Sequence, residues 1–559
     1  MSAQLDNPAN HSIPRDSYNQ IWQDQVFPQD WQNPTPSQIY DLVVIGAGPA
    51  GLVIAAGAAG LELGLKIALI EKNALGGDCL NVGCIPSKTL LHQGQVFAAH
   101  KIKSQGIESL KVLNSAVMEK VRQVRAKISP HDSVTRFSQM GIDVFLGEAT
   151  FQNSHTLKVT RHITPDSVNN LTNADSALNN QASVIHSELM PNSQISLISF
   201  KKAVIATGTR PDLPDIAGLD TVRYFTNETI FNVTTPPEQL IILGGGPIGC
   251  ELAQAWQNLG TQVYLMHRGA RLLPQEDPEA SALVTAALME VGVEIHCQTK
   301  IISLEAQPSA QYPNGVVLHY QDGQGQQGQI FASHLLIATG RVPNLEALNL
   351  RAAQLRFSQT GHKLNLWTND YLQTSQPHIF AAGDVVLSQR FTHAADAAAR
   401  LVIKNALFAP WGLGRSKWSD LVIPHAIYTQ PEIAQVGHTA ASAAAAGLDF
   451  ATITIPLSST DRGQTDQIER GFVKIHHQRR KGKPLDKILG ATIVADHAAD
   501  MINEITFAMT HNLGLNALAQ VVHPYPTLGE AIRKAADSYR RQLLTPQTRR
   551  ILQWLYRLS

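Results

Sequence analysis

Cysteine is scarce in this chain, with four in 559 residues. So few exclude a disulfide-stapled secreted scaffold and make any close pair a candidate for chemistry. Long apolar runs are missing too: no stretch of eighteen apolar residues occurs, and GLVIAAGAAGLELGL is too short and too rich in glycine to span a bilayer. No membrane partner is expected. Charge bias is also absent, since Lys plus Arg and Asp plus Glu each number 45. That balance argues against a nucleic-acid partner and against an acidic solvating tail. The opening MSAQLDNPANHSIPRDSYNQIWQDQ has neither an apolar signal core nor the arginines of a transit peptide, so a cytoplasmic location is expected.

What is present is organised. The length predicts three or four domains. Residues 1–40 form a polar N-terminal extension with scattered Trp and Pro, expected as an arm on the body. From Asp41, DLVVIGAGPAGLVIAAGAAGLELGLKIALIEK reads as strand, glycine turn, Ala-rich helix and second strand, a βαβ unit. The same grammar returns in LIILGGGPIGCELAQAWQNLGTQVYLMHR from Leu240. The fold class is thus α/β with two Rossmann-like dinucleotide-binding domains, at 41–235 and 236–350, followed by a second part of the first domain at 351–420 and a C-terminal α+β domain at 421–559. A segment rich in Asn and Ser at about 160–197 reads as a surface insertion.

In the first unit Gly46, Gly48 and Gly51 follow the strand and open the helix, where backbone N–H groups and the positive helix end suit a pyrophosphate. Glu71 closes the second strand, placed to accept hydrogen bonds from ribose hydroxyls. Gly244, Gly246 and Gly249 are the equivalents in the second unit, but its strand ends in YLMHRGAR, with His267 where an acid would stand. Without that carboxylate a 2′-phosphate is not repelled, and Arg268, with Arg271 as a further candidate, is placed to pair with it. NADPH is expected here in preference to NADH. Two such sites imply a flavin taking hydride from a nicotinamide, with a dithiol as the next acceptor.

GGDCLNVGCIPSK supplies that dithiol. Cys79 and Cys84 stand at i and i+5, at a helix start after a glycine turn, where disulfide distance is reachable and a thiolate is stabilised. Cys250 and Cys297 fall in apolar surroundings and read as packing.

The chain from Asp41 to about Leu543 resembles the class I pyridine nucleotide-disulfide oxidoreductases, the family of lipoamide dehydrogenase, glutathione reductase and mercuric reductase. GAGPAG, GGDCLNVGCIPSK, VIATGTRP, GGGPIGCELA, LIATGRVPN, IFAAGD and PTLGE carry the resemblance. It implies FAD in the first domain, with Thr207, Gly208 and Gly340 in the segments that cross between domains and Asp384 on the ribityl chain. It further implies Cys84 as the flavin-proximal thiol, Cys79 as the interchange thiol, and Lys88 beside the flavin, paired with Glu251. A homodimer whose C-terminal domains complete each other's active sites is implied as well.

One landmark departs. The family's HPTxxE places a histidine five residues before its glutamate, whereas here HPYPTLGE puts Tyr525 five residues before Glu530 and moves the histidine to His523. A phenol is a poor base near neutrality and imidazole a good one. The tyrosine resembles the mercuric reductase branch, whose soft Hg(II) suits a thiolate pair. ILQWLYRLS, however, lacks that branch's vicinal cysteine tail, and no metal-capture CxxC or other resident metal site is expected. The expected acceptor is therefore Hg(II) or another thiol-reactive small molecule. A lipoamide dehydrogenase using His523 is the alternative within the family, and a flavoprotein that senses redox state without turnover is the alternative outside it.

Overall fold

The computed structural model describes residues 13–101, 107–162 and 193–559. The expected insertion at about 160–197 thus lies largely outside the described residues, as do residues 1–12 of the extension. The rest of the extension begins with α1 (Ser17–Val26), which Asp16 caps by accepting from the Asn19 N–H at 2.8 Å.

The first nucleotide unit is β1 (Tyr40–Ile45), α2 (Pro49–Ala59) and β2 (Ile67–Glu71). α3 (Gly77–Asn81), α4 (Cys84–Lys101) and α5 (Ile107–Ile128) follow, then β3 (Ile142–Leu146). β1 lies between β2 and the strand Ser193–Ile205, all parallel, with Val44 facing Leu69 on one side and Val204 on the other. Both faces are covered, Leu42 and Val44 by α2 and the helix Thr392–Leu407, and Val43 and Ile45 by Ala149, Phe151, Leu157 and Leu348, so β1 is apolar almost throughout rather than alternating. After the second unit the chain returns, and Ile379–Ala381 adds to the same sheet beside Ser193–Ile205.

The second unit repeats the plan in the strand Gln239–Leu243, the helix Pro247–Asn258 and the strand Gln262–Met266, in a four-stranded parallel sheet. The C-terminal part is a five-stranded antiparallel sheet between His425 and Ala495, backed by the helices Ala498–Thr510 and Glu530–Gln542.

One packing contact decides where the chemistry sits. α4 lies against the helix Pro247–Asn258, and at Gly94 the approach is so close that a Cβ would stand 3.0 Å from the Ala255 carbonyl oxygen. The helix that starts at Cys84 is thereby held beside the helix that carries Glu251.

Candidate active site

Both glycine turns have the same close-packed form. Gly46 adopts φ +102°, and a Cβ there would meet the Ala206 oxygen at 2.4 Å; at Gly244 the values are +123° and 2.3 Å from the Ala338 oxygen. Only glycine tolerates that backbone and that approach. Gly51 and Gly249 would each put a Cβ 1.8 Å from the oxygen of the first glycine of their turn, so they let helix and strand close. Gly48 and Gly246 differ: a Cβ on Gly246 would meet nothing within 4 Å, and one on Gly48 only the Gly77 Cα at 3.8 Å. These two positions leave room at the helix N-termini, as a pyrophosphate requires.

Both turns open on one cavity of about 1520 Å³. That exceeds a typical small-ligand pocket and suits dinucleotides. Glu71 lines it, fixed by the Ala47 N–H to Oε2 at 2.6 Å and the Asn73 N–H to Oε1 at 2.8 Å, while burial pushes its carboxyl above the usual range. Asp384, Thr207 and Gly208 line it too, and burial likewise raises Asp384, against the pull of Arg341. Gly340 adopts φ +152°, next to Arg341 on the wall.

Cys79 ends up on α3 and Cys84 opens α4, both facing this cavity and neither bonded to another sulfur. The Cys79 thiol donates to the Cys84 sulfur, which also lies 3.2 Å from Thr392 Oγ1. The Cys79 bond is the largest influence on Cys84; together with Thr392 and the Lys88 charge it outweighs burial and brings the thiol down to about 6. Cys79, as donor and as a buried group, is pushed far up. The pair therefore divides at neutral pH into a Cys84 thiolate and a Cys79 thiol.

Lys88 stands one turn along α4 and is 2.6 Å from Glu251 Oε2, while Oε1 accepts the Tyr428 N–H at 2.9 Å. The ammonium also sits 4.5 Å from the centre of the Tyr428 ring. Burial disfavours the charge, but Glu251 and Cys84 more than restore it, and the Lys88 pKa is raised. The structure thus brings Cys79, Cys84, Lys88 and Glu251 together. Cys250 is fully buried and Cys297 packs on the same core.

At the second ribose position, His267 accepts the Gly245 N–H at Nδ1 (3.3 Å), and burial lowers its pKa. Arg268 is exposed. Arg271 instead clasps its own loop, donating to the carbonyls of Leu273, Pro274 and Glu276 at 2.6 to 3.1 Å. This engagement leaves Arg268 as the better placed of the two.

Tyr525, His523 and Glu530 are not among the residues lining the cavity. Tyr525 is 72% exposed and its hydroxyl donates to Asp461 Oδ2 at 2.8 Å, which raises its pKa. His523 Nε2 lies 3.0 and 3.1 Å from the two Glu504 oxygens, and Glu530 is buried at the start of its helix, 3.3 Å from Lys534.

Sequence reasoning missed several wall residues. Thr392 and Tyr428 touch the reactive groups; FTHAADAAARLVIKNALF resembles the mercuric reductase branch but did not point to Thr392 itself, and HAIYT gave no signal for Tyr428. Arg341, in GRVPN directly after Gly340, pairs with Asp78 beside Cys79 and donates to the Thr209 carbonyl at 2.9 Å. An Asp directly before a reactive cysteine was the available hint.

Comparison with known proteins places the chain in a family. The family described as "Pyridine nucleotide-disulphide oxidoreductase" matches residues 40–400, and its dimerisation domain matches residues 423–536. A mercuric reductase of Staphylococcus aureus is 32% identical over 507 residues, covering 89% of this chain and 82% of that one. A dihydrolipoyl dehydrogenase of Bacillus subtilis (strain 168) is 30% identical over 502 residues, covering 89% and 96%. Among solved structures, a Cu(II) complex of the HOCl-induced flavoprotein disulfide reductase RclA from Escherichia coli matches at a TM-score of 0.70 and 26% identity, over 90% of this chain and 99% of that one. With the paired thiols, both glycine turns and the C-terminal domain all in place, the chain belongs to the pyridine nucleotide-disulphide oxidoreductase family.

Proposed function

We propose that this is an NADPH-dependent reductase that delivers electrons through the Cys79/Cys84 pair to a thiol-seeking acceptor, with Hg(II) the favoured substrate. One observation carries it: a polarised thiolate and thiol share a cavity with both glycine turns, beside the Lys88–Glu251 pair. FAD, when bound, supplies the two-electron link between nicotinamide and disulfide. Gly46, Gly48 and Gly51 would hold its pyrophosphate, Glu71 its ribose and Asp384 its ribityl chain. At the second turn Gly244, Gly246 and Gly249 would hold the nicotinamide nucleotide, with Arg268 on the 2′-phosphate. Lys88, neutralised in part by Glu251, keeps positive charge beside Cys84 and so favours its thiolate. Cys79 is the thiol that meets the acceptor. The chain acts as a homodimer in which Tyr525 and Glu530 of one subunit complete the other's site.

Soft ligands favour the metal reading, and Tyr525, bonded to Asp461, is unsuited to the proton relay of a disulfide substrate. The mercuric reductase relative and the Cu(II) complex of the structural neighbour support a thiophilic metal acceptor. A second reading, a dihydrolipoyl dehydrogenase, is favoured by His523, which Glu504 orients as a carboxylate orients a catalytic imidazole. Parallel assays with NADPH or NADH, and with Hg(II) plus excess thiol, lipoamide or glutathione disulfide, separate the two. Turnover with a disulfide alone would defeat the metal reading, and rapid flavin reduction without turnover on any acceptor would favour a sensor.

A further inference from the structure

The family match begins at residue 40, so α1 and the strap behind it are additional to the shared domain. They are nevertheless built into the redox segment. Trp22 is 8% exposed, and its indole N–H donates to Asn81 Oδ1 at 2.7 Å. Asn81 lies between the two cysteines. Its own amide donates to the carbonyls of Leu75 at 3.0 Å and Gly77 at 2.9 Å, tying together the turn from which α3 starts. The Leu75 N–H in turn donates to the Val26 carbonyl at 3.0 Å, so the extension holds that turn through backbone as well.

A second path converges on the same residue. Arg125 of α5 is 2% exposed, donates to the Asn81 carbonyl at 3.1 Å, and stacks over Trp22 at 4.2 Å. Asn19 of α1 accepts from Arg125 at 2.5 Å, and Asp16 pairs with Arg122 one turn away. The far end is fastened too, because Asn33 exchanges hydrogen bonds with Leu146 on the edge strand β3, at 2.8 and 2.9 Å. Trp22 and Arg125 also stand in the wall of the large cavity, with Asn81 and Cys79.

We infer that the N-terminal extension is a positioning strut for the redox pair, acting from Trp22 through Asn81 on the separation and polarity of Cys79 and Cys84. This rests on the proposed thiol relay. In that relay a hydride equivalent, two electrons and one proton, breaks the sulfur–sulfur bond and leaves one thiolate and one thiol. The strut holds the segment in the arrangement where Cys79 donates to Cys84, and so stabilises the reduced pair. Sequence gave the extension no role because a single Trp and a single Asn, 59 positions apart, carry no local pattern.

The test uses Trp22→Phe in the full-length holoenzyme, which keeps an aromatic ring under Arg125 and removes the indole N–H together with the second ring. Two readouts that a simple stability loss would not move are the disulfide midpoint potential, set by equilibration against dithiol buffers, and the pH titration of the Cys84 thiolate. The strut predicts a roughly tenfold loss of the dithiol form, a fall of about 30 mV, with the thiolate titration moved upward. Asn19→Ala, which frees Arg125 without touching Trp22, should shift both in the same direction by less, and it serves if Trp22→Phe does not fold. Asn33→Ala loosens the far end and should lower only the melting temperature. Unchanged potential and titration in Trp22→Phe and Asn19→Ala would overturn the strut. The absence of any two-electron thiol couple in the wild-type chain would instead overturn the relay on which it rests.

Discussion

Cys84 and Lys88 lie four residues apart on α4, hence on one face, and that spacing puts a cation over a sulfur already at a helix N-terminus. The Cys79 bond, Thr392 and Lys88 together bring Cys84 to about 6, so the thiolate fraction falls about tenfold for each pH unit below that value and saturates above it. Alkylation of Cys84, followed by mass spectrometry in a Cys79→Ala background, should follow that curve shifted upward by loss of the Cys79 donor. Wild-type Cys84 should titrate near 6 and Lys88→Met above it. A Lys88→Met titration that coincides with wild type would remove the lysine from the account. The motif GGDCLNVGCIPSK made both cysteines and Lys88 legible in the sequence because they are adjacent in it. Thr392, Tyr428 and Arg341 were not legible, since only the folded chain brings them to the sulfur and to Asp78.

At the scale of elements, the two glycine turns were readable from strand, turn and helix in order, and the structure reproduces the same close approach in both. It also separates two kinds of glycine that the sequence pattern treats alike. Gly249→Ala would drive a Cβ to 1.8 Å from the Gly244 oxygen and should cost roughly 3 kcal/mol or more of stability. Gly246→Ala enters open space and should leave thermal unfolding within about 1 °C of wild type while weakening NADPH binding by roughly tenfold, about 1.4 kcal/mol. Denaturation and nucleotide titration of the two variants check the contrast. The C-terminal sheet holds a further element-scale feature, since His476 is buried on its strand with Nδ1 2.9 Å from Thr452 Oγ1, and burial lowers its pKa to about 4. The unfolded chain takes up that proton near pH 6.5, whereas the folded chain waits until about 4. This part of the stability is complete above 6.5 and is lost as pH falls toward 4, on the order of 3 kcal/mol. His476→Phe should flatten acid unfolding over that window.

For the whole molecule, the two nucleotide units follow from hydrophobic pattern and glycine spacing, while the chain's return to the first sheet at Ile379–Ala381 was implied only by the family resemblance that IFAAGD helps to carry. The extension was expected as an arm on the body, but where it anchors did not follow, because its anchors are single side chains reaching distant partners. Tyr525 and Glu530 lie outside the cavity that holds the cysteines, and in the proposed homodimer they would act on the site of the second copy. On that proposal Tyr525→His, which restores the family's five-residue spacing to Glu530, should raise disulfide reduction relative to metal reduction. Lipoamide and glutathione disulfide assays across pH 5 to 8 measure it, with a new base titrating near 6.5. No gain in disulfide turnover would detach position 525 from acceptor choice. The central claim is tested most directly by NADPH oxidation with Hg(II) plus excess thiol in wild type and in Cys79→Ala. We predict turnover in wild type that exceeds turnover with NADH and disappears in the variant. Wild-type turnover confined to lipoamide or glutathione disulfide, or Hg(II) turnover undiminished in Cys79→Ala, would contradict the account.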